Sequence, residues 1–186
     1  MNKLTLCFLA IMCVFYQQVY AGEGDRQQNQ VGKSMQDMKE SLLFIKNFHF
    51  VSDQLASSGM LELEDYTLIK DYGFKHVINL IPGDQKAERE HVESLGLSYQ
   101  QIEVIWKTPT ETDFKRFVKL MDSYGNDKVY VHCMLNWRAS AFVFLYRVMQ
   151  LKDDVQLAKK DLLAVWTPEE QWLDFVQMIL GRKILF

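Results

Sequence analysis

A cysteine, a histidine and an arginine stand close together at the end of an apolar run. His132 and Cys133 end the run, 128–133, and Arg138 follows them. The run is typical of a buried strand, and residues 139–150 are typical of a helix. A strand that ends in a thiol and leads into a helix places that thiol beside free backbone N–H groups, which attract negative charge. The pattern therefore predicts a cysteine nucleophile that acts on an anion.

The first 21 residues have the pattern of a cleavable export signal. Lys3 is followed by an apolar stretch, 4–16, and then by the small residue Ala21. The apolar stretch is too short to span a bilayer with ease. We expect cleavage after Ala21, a periplasmic or secreted location, and no stable membrane insertion of the mature chain.

Cleavage would leave Cys133 as the one cysteine of the mature chain, because Cys7 and Cys13 lie within the signal. No intramolecular disulfide is then possible. A lone thiol in an oxidising compartment is either an inert part of the core or a functional nucleophile. The formal net charge is −3, and loss of Lys3 makes it more negative, which argues against nucleic acid as a partner.

The remaining length suits one domain. Residues 22–46 are predicted to form a polar lead-in and an N-terminal helix, which runs roughly from Ser34 to Phe48, and residues 47–184 to form the domain. The predicted strands are 50–56, 76–81, 97–105 and 128–133, and the predicted helices are 62–72, 84–95, 139–150, one after Thr110 and one after Thr167. This alternation predicts a single α/β domain with a mostly parallel central sheet flanked by helices.

Two helix starts carry recognisable capping signals. Thr110 and Asp113 have the spacing of a capping box. Thr167 is predicted to cap the last helix, with Pro168 in the first helical position and Glu170 reaching back. We expect the apolar residues after each start to form one buried face.

The order of these elements resembles that of the bacterial dual-specificity-like tyrosine phosphatases. The resemblance covers roughly residues 47–180. It rests on segments 55–59 (Leu-Ala-Ser-Ser-Gly), 73–80 (Gly-Phe-Lys-His-Val-Ile-Asn-Leu) and 131–133 (Val-His-Cys). It includes a branch with the loop Cys-x-x-Asn-x-Arg-x-Ser, which this chain matches at Cys133, Asn136, Arg138 and Ser140.

This resemblance implies a fold of the dual-specificity-phosphatase type and an exported, cysteine-dependent phosphatase. Cys133 would attack phosphorus to form a cysteinyl-phosphate, and Arg138 would grip two phosphate oxygens with its planar fork. His132 resembles a residue that orients the loop through backbone hydrogen bonds, and Ser140 resembles the hydroxyl that steadies the leaving thiolate. The expected partner is a phosphorylated small molecule or a phosphoprotein.

The same resemblance makes the residues between Cys133 and Arg138 the phosphate-binding loop. Its members are Met134, Leu135, Asn136, Trp137 and Arg138. Backbone N–H groups would solvate the phosphate, and asparagine at position 136 tolerates a left-handed conformation better than most residues. The apolar side chains either shape an aromatic substrate site or turn inward. Trp137 and Trp166 fit the mouth of a pocket and ordinary aromatic contacts equally well.

Two departures from the family concern the arginine and the general acid. The usual loop has five residues between cysteine and arginine, whereas Cys133 and Arg138 are separated by four. Either the shorter loop still brings Arg138 to the anion, or the activity is altered or lost. The region 102–109 lacks the expected aspartate, since Glu103 falls in a strand pattern and Asp113 in a capping position.

Three alternatives to a phosphatase stay open. The first is a catalytically impaired pseudophosphatase that binds an anionic ligand. The second is a rhodanese-like sulfurtransferase, because those enzymes also have four residues between cysteine and arginine. The third is an inert buried cysteine. We expect no metal site, since His49, His76 and His91 lack ligand spacing, and no cofactor; the sequence does not determine the oligomeric state.

Overall fold

The computed structural model describes residues 34–186 of the chain. The predicted signal peptide, 1–21, and the polar residues 22–33 lie outside the described residues. Residues 34–42 are helical (α1), a shorter helix than the predicted 34–48, and the sheet belongs to a compact unit, Ser41–Phe186. Within residues 34–186, no helix is both long and apolar enough to cross a membrane.

Five strands and six further helices make up the compact unit. The strands are β1 (His49–Phe50), β2 (Leu55–Ser58), β3 (His76–Asn79), β4 (Ser98–Gln101) and β5 (Val129–His132). The helices are α2 (Asp65–Asp71), α3 (Lys86–Ser94), α4 (Glu111–Tyr124), α5 (Trp137–Tyr146), α6 (Val155–Val165) and α7 (Glu170–Leu180). A π-helical turn, Arg147–Leu151, follows α5 directly.

All five strands form one sheet in the order β1-β2-β5-β3-β4. Strands β2, β5, β3 and β4 are parallel, and β1 is antiparallel to β2. The prediction of an α/β domain with a mostly parallel central sheet is therefore confirmed. Because β5 pairs with β2 on one side and β3 on the other, the residues after β5 lie at the middle of the sheet's carboxyl edge.

The side chains at the end of β5 alternate between the two faces of the sheet. Val131 and Cys133 belong to the core cluster that includes residues of α4, α5 and α7, whereas Tyr130 belongs to the cluster with residues of α2 and α3. The His132 ring stacks on Tyr130 with 5.8 Å between centroids and meets Tyr66 edge-on at 6.1 Å. The strand period thus sends the thiol and the imidazole to opposite faces.

The predicted single strand at 50–56 is wrong, because a hairpin replaces it. Leu55 O accepts the N–H groups of Val51 at 2.9 Å and Ser52 at 3.0 Å, which closes a turn between β1 and β2. Ser52 Oγ also accepts the N–H of Gln54 at 3.2 Å. Serine favours such local hydrogen bonds over a continuous strand ladder, so the chain reverses here.

Two assignments near the C-terminus also differ from the sequence expectation. The sequence patterns do not predict α6, whose N-cap Asp154 accepts two N–H groups of the first turn at 2.8 and 3.0 Å. Helix α7 begins at Glu170 behind the N-cap Glu169, so the prediction of Thr167 as its cap is wrong. Glu170 has a φ of 39°, and this left-handed residue separates Pro168 from the regular helix.

The start of α4 agrees with the prediction. Thr110 is the N-cap, its Oγ1 accepts the N–H of Asp113 at 3.1 Å, and its hydroxyl donates to Asp113 Oδ2 at 2.6 Å. Phe114, Phe117 and Met121 recur along one face of α4 and are buried. This face covers the sheet on the side to which Cys133 points.

Candidate active site

Cys133 and Arg138 line the same pocket at the carboxyl edge of the sheet. This nucleophile pocket has a volume of about 170 Å³. Its lining residues are Trp106, Cys133, Met134, Leu135, Trp137 and Arg138. Cys133 is a free cysteine that is 1% exposed, so its thiol lies at the base of the pocket. The shorter spacing between cysteine and arginine does not separate the two residues.

The loop before α5 has backbone N–H groups without a protein acceptor. Within the described part of the chain, no hydrogen bond is donated by the N–H groups of residues 134, 135, 137, 138 and 139. The first N–H bonded back along the helix is that of Ser140, to Asn136 O at 2.9 Å. Unpaired N–H groups at the start of a helix favour a bound anion.

Asn136 sets the turn of the loop. It is the N-cap of α5 and adopts a left-handed conformation with φ 67° and ψ 0°, which asparagine tolerates better than most residues. Its Nδ2 donates to Asn47 O at 2.7 Å, and Asn47 Nδ2 donates in return to Leu135 O at 3.0 Å. Two asparagines therefore tie the loop to the segment before β1.

Gly59 lets the end of β2 approach the loop closely. Its N–H donates to Lys46 O at 2.7 Å, and the next N–H, that of Met60, donates to Met134 O at 3.2 Å. A Cβ atom at position 59 would lie 3.0 Å from Lys46 O and 3.1 Å from Met134 O. These distances are tighter than most Cβ contacts, so a side chain at position 59 would push against the backbone of both neighbouring segments. Sequence reasoning noted the Ser-Ser-Gly segment but not this contact.

Arg138 is held by the sheet on one side only. Its Nη1 donates to Leu80 O at 3.0 Å, directly beyond β3. Its Nε is buried and has no hydrogen-bond partner among the described residues. A buried guanidinium N–H without an acceptor is costly unless a ligand supplies one. Arg138 therefore lines the same pocket as Cys133 and has one guanidinium N–H without a partner among the described residues.

Ser140 forms hydrogen bonds with two tryptophans. Its hydroxyl donates to Trp137 O at 3.2 Å and accepts the indole N–H of Trp166 at 3.1 Å. No hydrogen bond in the described structure joins Ser140 to Cys133, so the predicted stabilisation of the thiolate stays a prediction. The geometry gives Ser140 a role in joining α5 to the segment between α6 and α7.

His132 contacts a buried carboxylate instead of the loop backbone. Its Nε2 lies 2.8 Å from Glu88 Oε1 and 3.2 Å from Tyr66 Oη, while its Nδ1 is buried without a partner. An ionised carboxylate can only accept, so Nε2 carries the proton that faces Glu88. The predicted backbone hydrogen bond is not present in the described structure.

Glu88 is the centre of a polar network that the sequence analysis missed. Asn79 Nδ2 donates to its two oxygens at 3.0 and 3.1 Å and lies 2.9 Å from Tyr99 Oη. Burial alone would raise the pKa of Glu88, but hydrogen bonds from His132, Tyr66 and Asn79 outweigh it and hold the pKa below its usual value. Burial, and then the charge of Glu88, raises the pKa of Tyr66 and of Tyr99. The network contains an ionised carboxylate.

Neither acidic residue considered as a general acid reaches the nucleophile pocket. Glu103 Oε2 accepts the N–H of Gly83 at 3.0 Å, on the loop after β3. Asp113 is bonded to Thr110 at the start of α4, as its capping position predicts. No aspartate or glutamate is among the residues that line this pocket in the described structure. The site therefore lacks an acid in direct contact.

The four tryptophans of the chain form one cluster beside the loop. Trp137 and Trp166 stack with 5.2 Å between ring centroids and an 11° angle, and Trp106 lies 5.5 Å from Trp137 and 5.7 Å from Trp166. Trp106 O also accepts the indole N–H of Trp172 in α7 at 3.0 Å. Trp137 and Trp106 both line the nucleophile pocket. The sequence analysis did not single out Trp106.

A separate cavity lies at the opposite end of β5. It has a volume of about 120 Å³ and is lined by residues that include Val129, Arg147 and Asp153. It shares no lining residue with the nucleophile pocket. Cys133 and the loop are therefore not part of it.

Solved structures similar to this chain are those of phosphatases. Two crystal structures of a DUF442 candidate phosphatase from Shewanella putrefaciens CN-32 match with TM-scores of 0.68 and 0.65, at 29% and 31% sequence identity. Both matches cover 76% of this chain, and they cover 96% and 94% of the Shewanella chains. No protein-family model matches the sequence, and no curated protein matches it.

More distant structures show the same fold. The core catalytic domain of the PP-IP phosphatase SIW14 from S. cerevisiae has a TM-score of 0.63 at 15% identity, over 75% of this chain and 86% of that one. TpbA from P. aeruginosa has a TM-score of 0.59 at 16% identity, over 74% of this chain and 86% of that one. The fold predicted from the sequence is therefore confirmed. With 31% identity over 94% of the Shewanella protein, the chain belongs to the DUF442 family and has the fold of the cysteine-based tyrosine and dual-specificity phosphatases.

Proposed function

We propose that this protein hydrolyses phosphomonoesters through a cysteinyl-phosphate intermediate. The observation that carries the proposal is that Cys133 and Arg138 line one pocket, and that Arg138 Nε has no hydrogen-bond partner among the described residues. The unpaired N–H groups of the loop add further donors. Together they offer a nucleophile, a fixed positive charge and hydrogen-bond donors for a tetrahedral dianion.

In the first step, the Cys133 thiolate attacks phosphorus, an S–P bond forms, and the P–O bond to the leaving group breaks. In the second step, water attacks phosphorus, the S–P bond breaks, and inorganic phosphate is released with the thiolate regenerated. Arg138 Nε stabilises the charge that spreads over the phosphoryl oxygens in both transition states. Its Nη1 keeps the fork oriented through Leu80 O.

A leaving group without a proton donor must depart as an anion or take its proton from water. Because no carboxylate lines the nucleophile pocket in the described structure, we expect aryl phosphates to react much faster than alkyl phosphates. A crystal structure of P. aeruginosa TpbA in complex with pTyr makes phosphotyrosine a suitable second aryl probe for this chain.

The first experiment measures hydrolysis of para-nitrophenyl phosphate by residues 22–186, with Cys133→Ser and Arg138→Lys as variants. We expect turnover that is abolished by Cys133→Ser and falls at least about a hundredfold with Arg138→Lys, since one ammonium cannot replace both N–H faces of the guanidinium. Intact-mass spectrometry after an acid quench should show one added phosphoryl group on the wild type alone. Turnover that survives Cys133→Ser would refute the mechanism.

The absence of a lining carboxylate also favours a second candidate, a pseudophosphatase that binds an anion without turning it over. The two candidates differ in one measurement. A pseudophosphatase would bind vanadate or phosphate in an Arg138-dependent way and show no turnover of the aryl phosphate. Assay of thiosulfate sulfurtransfer tests the remaining rhodanese-like alternative, for which the similar structures give no support.

We also propose that the protein is exported and cut after Ala21. The support is the sequence pattern of residues 1–21 alone. Expression of the full chain in a bacterium with a Sec pathway, followed by fractionation and N-terminal sequencing, tests it. A periplasmic or secreted product that begins at Gly22 is expected, and a cytoplasmic product that keeps residues 1–21 would overturn the proposal.

A further inference from the structure

A second, larger pocket shares two walls with the nucleophile pocket. This tryptophan–glutamate pocket has a volume of about 560 Å³. The lining residues that matter here are Trp106, Trp137, Trp166, Trp172, Glu169 and Glu170. Trp106 and Trp137 line both pockets, so a ligand that is bound at Cys133 and extends past these two indoles enters the second pocket.

Three of the four indoles of this pocket lie at or beyond the ends of different elements. Trp106 follows β4, Trp137 begins α5, and Trp166 directly follows α6. All three are partly exposed, whereas Trp172 is fully buried beneath them, 5.1 Å from Trp106 and 6.1 Å from Trp166 between ring centroids. Three partly exposed indoles therefore line one cavity.

Two carboxylates complete the rim. Glu169 and Glu170 are exposed, and no hydrogen bond or ion pair among the described residues involves either carboxylate. No lysine or arginine is among the residues that line this pocket in the described structure. Indole rings attract cations through their quadrupole, and unpaired carboxylates attract cations through their negative charge. The pocket is therefore complementary to a positively charged group.

The two adjoining pockets have opposite electrostatic character. The nucleophile pocket is lined by Cys133 and Arg138, and several N–H groups of the loop between them have no protein acceptor, a combination that suits a phosphate. The tryptophan–glutamate pocket presents indoles and carboxylates, which suit an ammonium group. We propose that the substrates of this site are phosphate monoesters of amino alcohols, with the phosphate at Cys133 and the ammonium group in the tryptophan–glutamate pocket. This inference rests on the proposed phosphatase function for its catalytic part only.

The cation site is tested first without turnover, in the Cys133→Ser protein. Choline is titrated against 3,3-dimethylbutanol, its uncharged isostere, with tryptophan fluorescence and calorimetry as readouts. We expect choline to bind at least about fivefold more tightly, within the range of cation–π attraction. The double variant Glu169→Gln, Glu170→Gln should remove most of this preference and leave binding of the isostere unchanged. Equal affinity for the two probes would overturn the proposal.

A matched control separates local recognition from net charge. Glu90→Gln combined with Glu93→Gln removes two exposed carboxylates from α3, outside the residues that line this pocket. Choline binding should stay unchanged in this control. An equal loss in both double variants would show that the effect comes from net charge, which also overturns the proposal.

Turnover provides the second test, with phosphocholine against 3,3-dimethylbutyl phosphate. Both have alkyl leaving groups, which react slowly where no acid lines the pocket, and the ammonium group also makes choline the better leaving group. Recognition of the charge is therefore the part of the kcat/KM difference that the Glu169→Gln, Glu170→Gln variant removes. We expect at least about fivefold higher kcat/KM for phosphocholine, reduced by the Glu169→Gln, Glu170→Gln variant while para-nitrophenyl phosphate hydrolysis is retained. Turnover of para-nitrophenyl phosphate with no preference for phosphocholine overturns the substrate assignment only. Choline binding without any phosphatase turnover overturns the proposed catalytic function and leaves the cation site established.

Discussion

Glu88→Gln tests whether the buried carboxylate stabilises the segment that ends in Cys133. The carboxylate accepts from His132 Nε2 at 2.8 Å and from Asn79 Nδ2 at 3.0 and 3.1 Å, and its side chain is 12% exposed. Glutamine keeps the shape but replaces one acceptor oxygen with an NH₂ donor. Oε1 faces the N–H donors of both His132 and Asn79, and Oε2 faces that of Asn79, so in either orientation the NH₂ group of glutamine meets another donor.

The size of the effect follows from these lost hydrogen bonds. A buried donor without an acceptor costs about 1–3 kcal/mol, and a neutral acceptor in place of a charged one loses about 1 kcal/mol more. We therefore expect the free energy of unfolding at pH 7 to fall by about 2–4 kcal/mol. The control is Glu90→Gln on the same helix, whose side chain is 64% exposed and lies 3.7 Å from Lys86, and we expect a change below about 0.5 kcal/mol.

The effect should depend on pH with a defined sign. The pKa of Glu88 in the folded chain lies below its usual value of 4.5, so the ionised carboxylate stabilises the fold above that value. This stabilisation is lost as the pH falls through the lower folded pKa, and the difference between wild type and variant then shrinks. Urea unfolding at pH 7 and at several pH values below 4.5 measures it. A difference at pH 7 below about 1 kcal/mol, or one that is unchanged in acid, would refute the reasoning.

Three further substitutions address the loop and the opposite end of α5. Asn136→Ala should be less stable than Asn136→Gly by about 1 kcal/mol in chemical unfolding, because residue 136 has a φ of 67°; equal stability would contradict this. Gly59→Ala should displace the loop, because the new Cβ would lie 3.0 Å from Lys46 O and 3.1 Å from Met134 O. We expect aryl-phosphate turnover to fall at least about tenfold and the free energy of unfolding to fall by about 1–3 kcal/mol; unchanged kinetics would contradict this. Arg147→Met breaks ion pairs with Asp153 and Asp161 and should cost about 2 kcal/mol, with kcat/KM per folded molecule retained; a matching loss of kcat/KM would contradict the separation of the two sites.

Those parts of the fold that have local signals were predictable. The run that forms β5, the capping residues Thr110 and Asp113, and the left-handed Asn136 each act through the chain within a few residues of themselves. The turn at 51–54 was not predicted, because only Ser52 and the residues next to it signal a turn within the strand pattern of 50–56. Helix α6 was also not predicted. Its start is marked by its N-cap Asp154, which is an equally short sequence signal.

The surroundings of the loop depend on pairs that are distant in sequence. Glu88 meets His132 from α3, and nothing in either segment indicates that pairing. Trp106 reaches the pocket from the segment after β4, where the family resemblance directed attention to a missing aspartate. The sequence predicted Cys133 and Arg138 as site residues because both fall within one short loop, whereas supporting residues can come from any element.

The position of Arg138 illustrates how a shorter loop can keep its charge at the pocket. Moving an arginine by one position along a helix turns its side chain by about 100° around the axis. Here Nη1 is bonded to Leu80 O beyond β3, the strand next to β5, so the guanidinium is fixed by the sheet edge as well as by its own backbone. Its buried Nε still lacks a partner, and Cys133 lines the same pocket. The hydrogen bond to Leu80 O holds the guanidinium beside the sheet edge although only four residues separate Arg138 from Cys133, so the residue count of the loop alone does not determine where the arginine side chain lies.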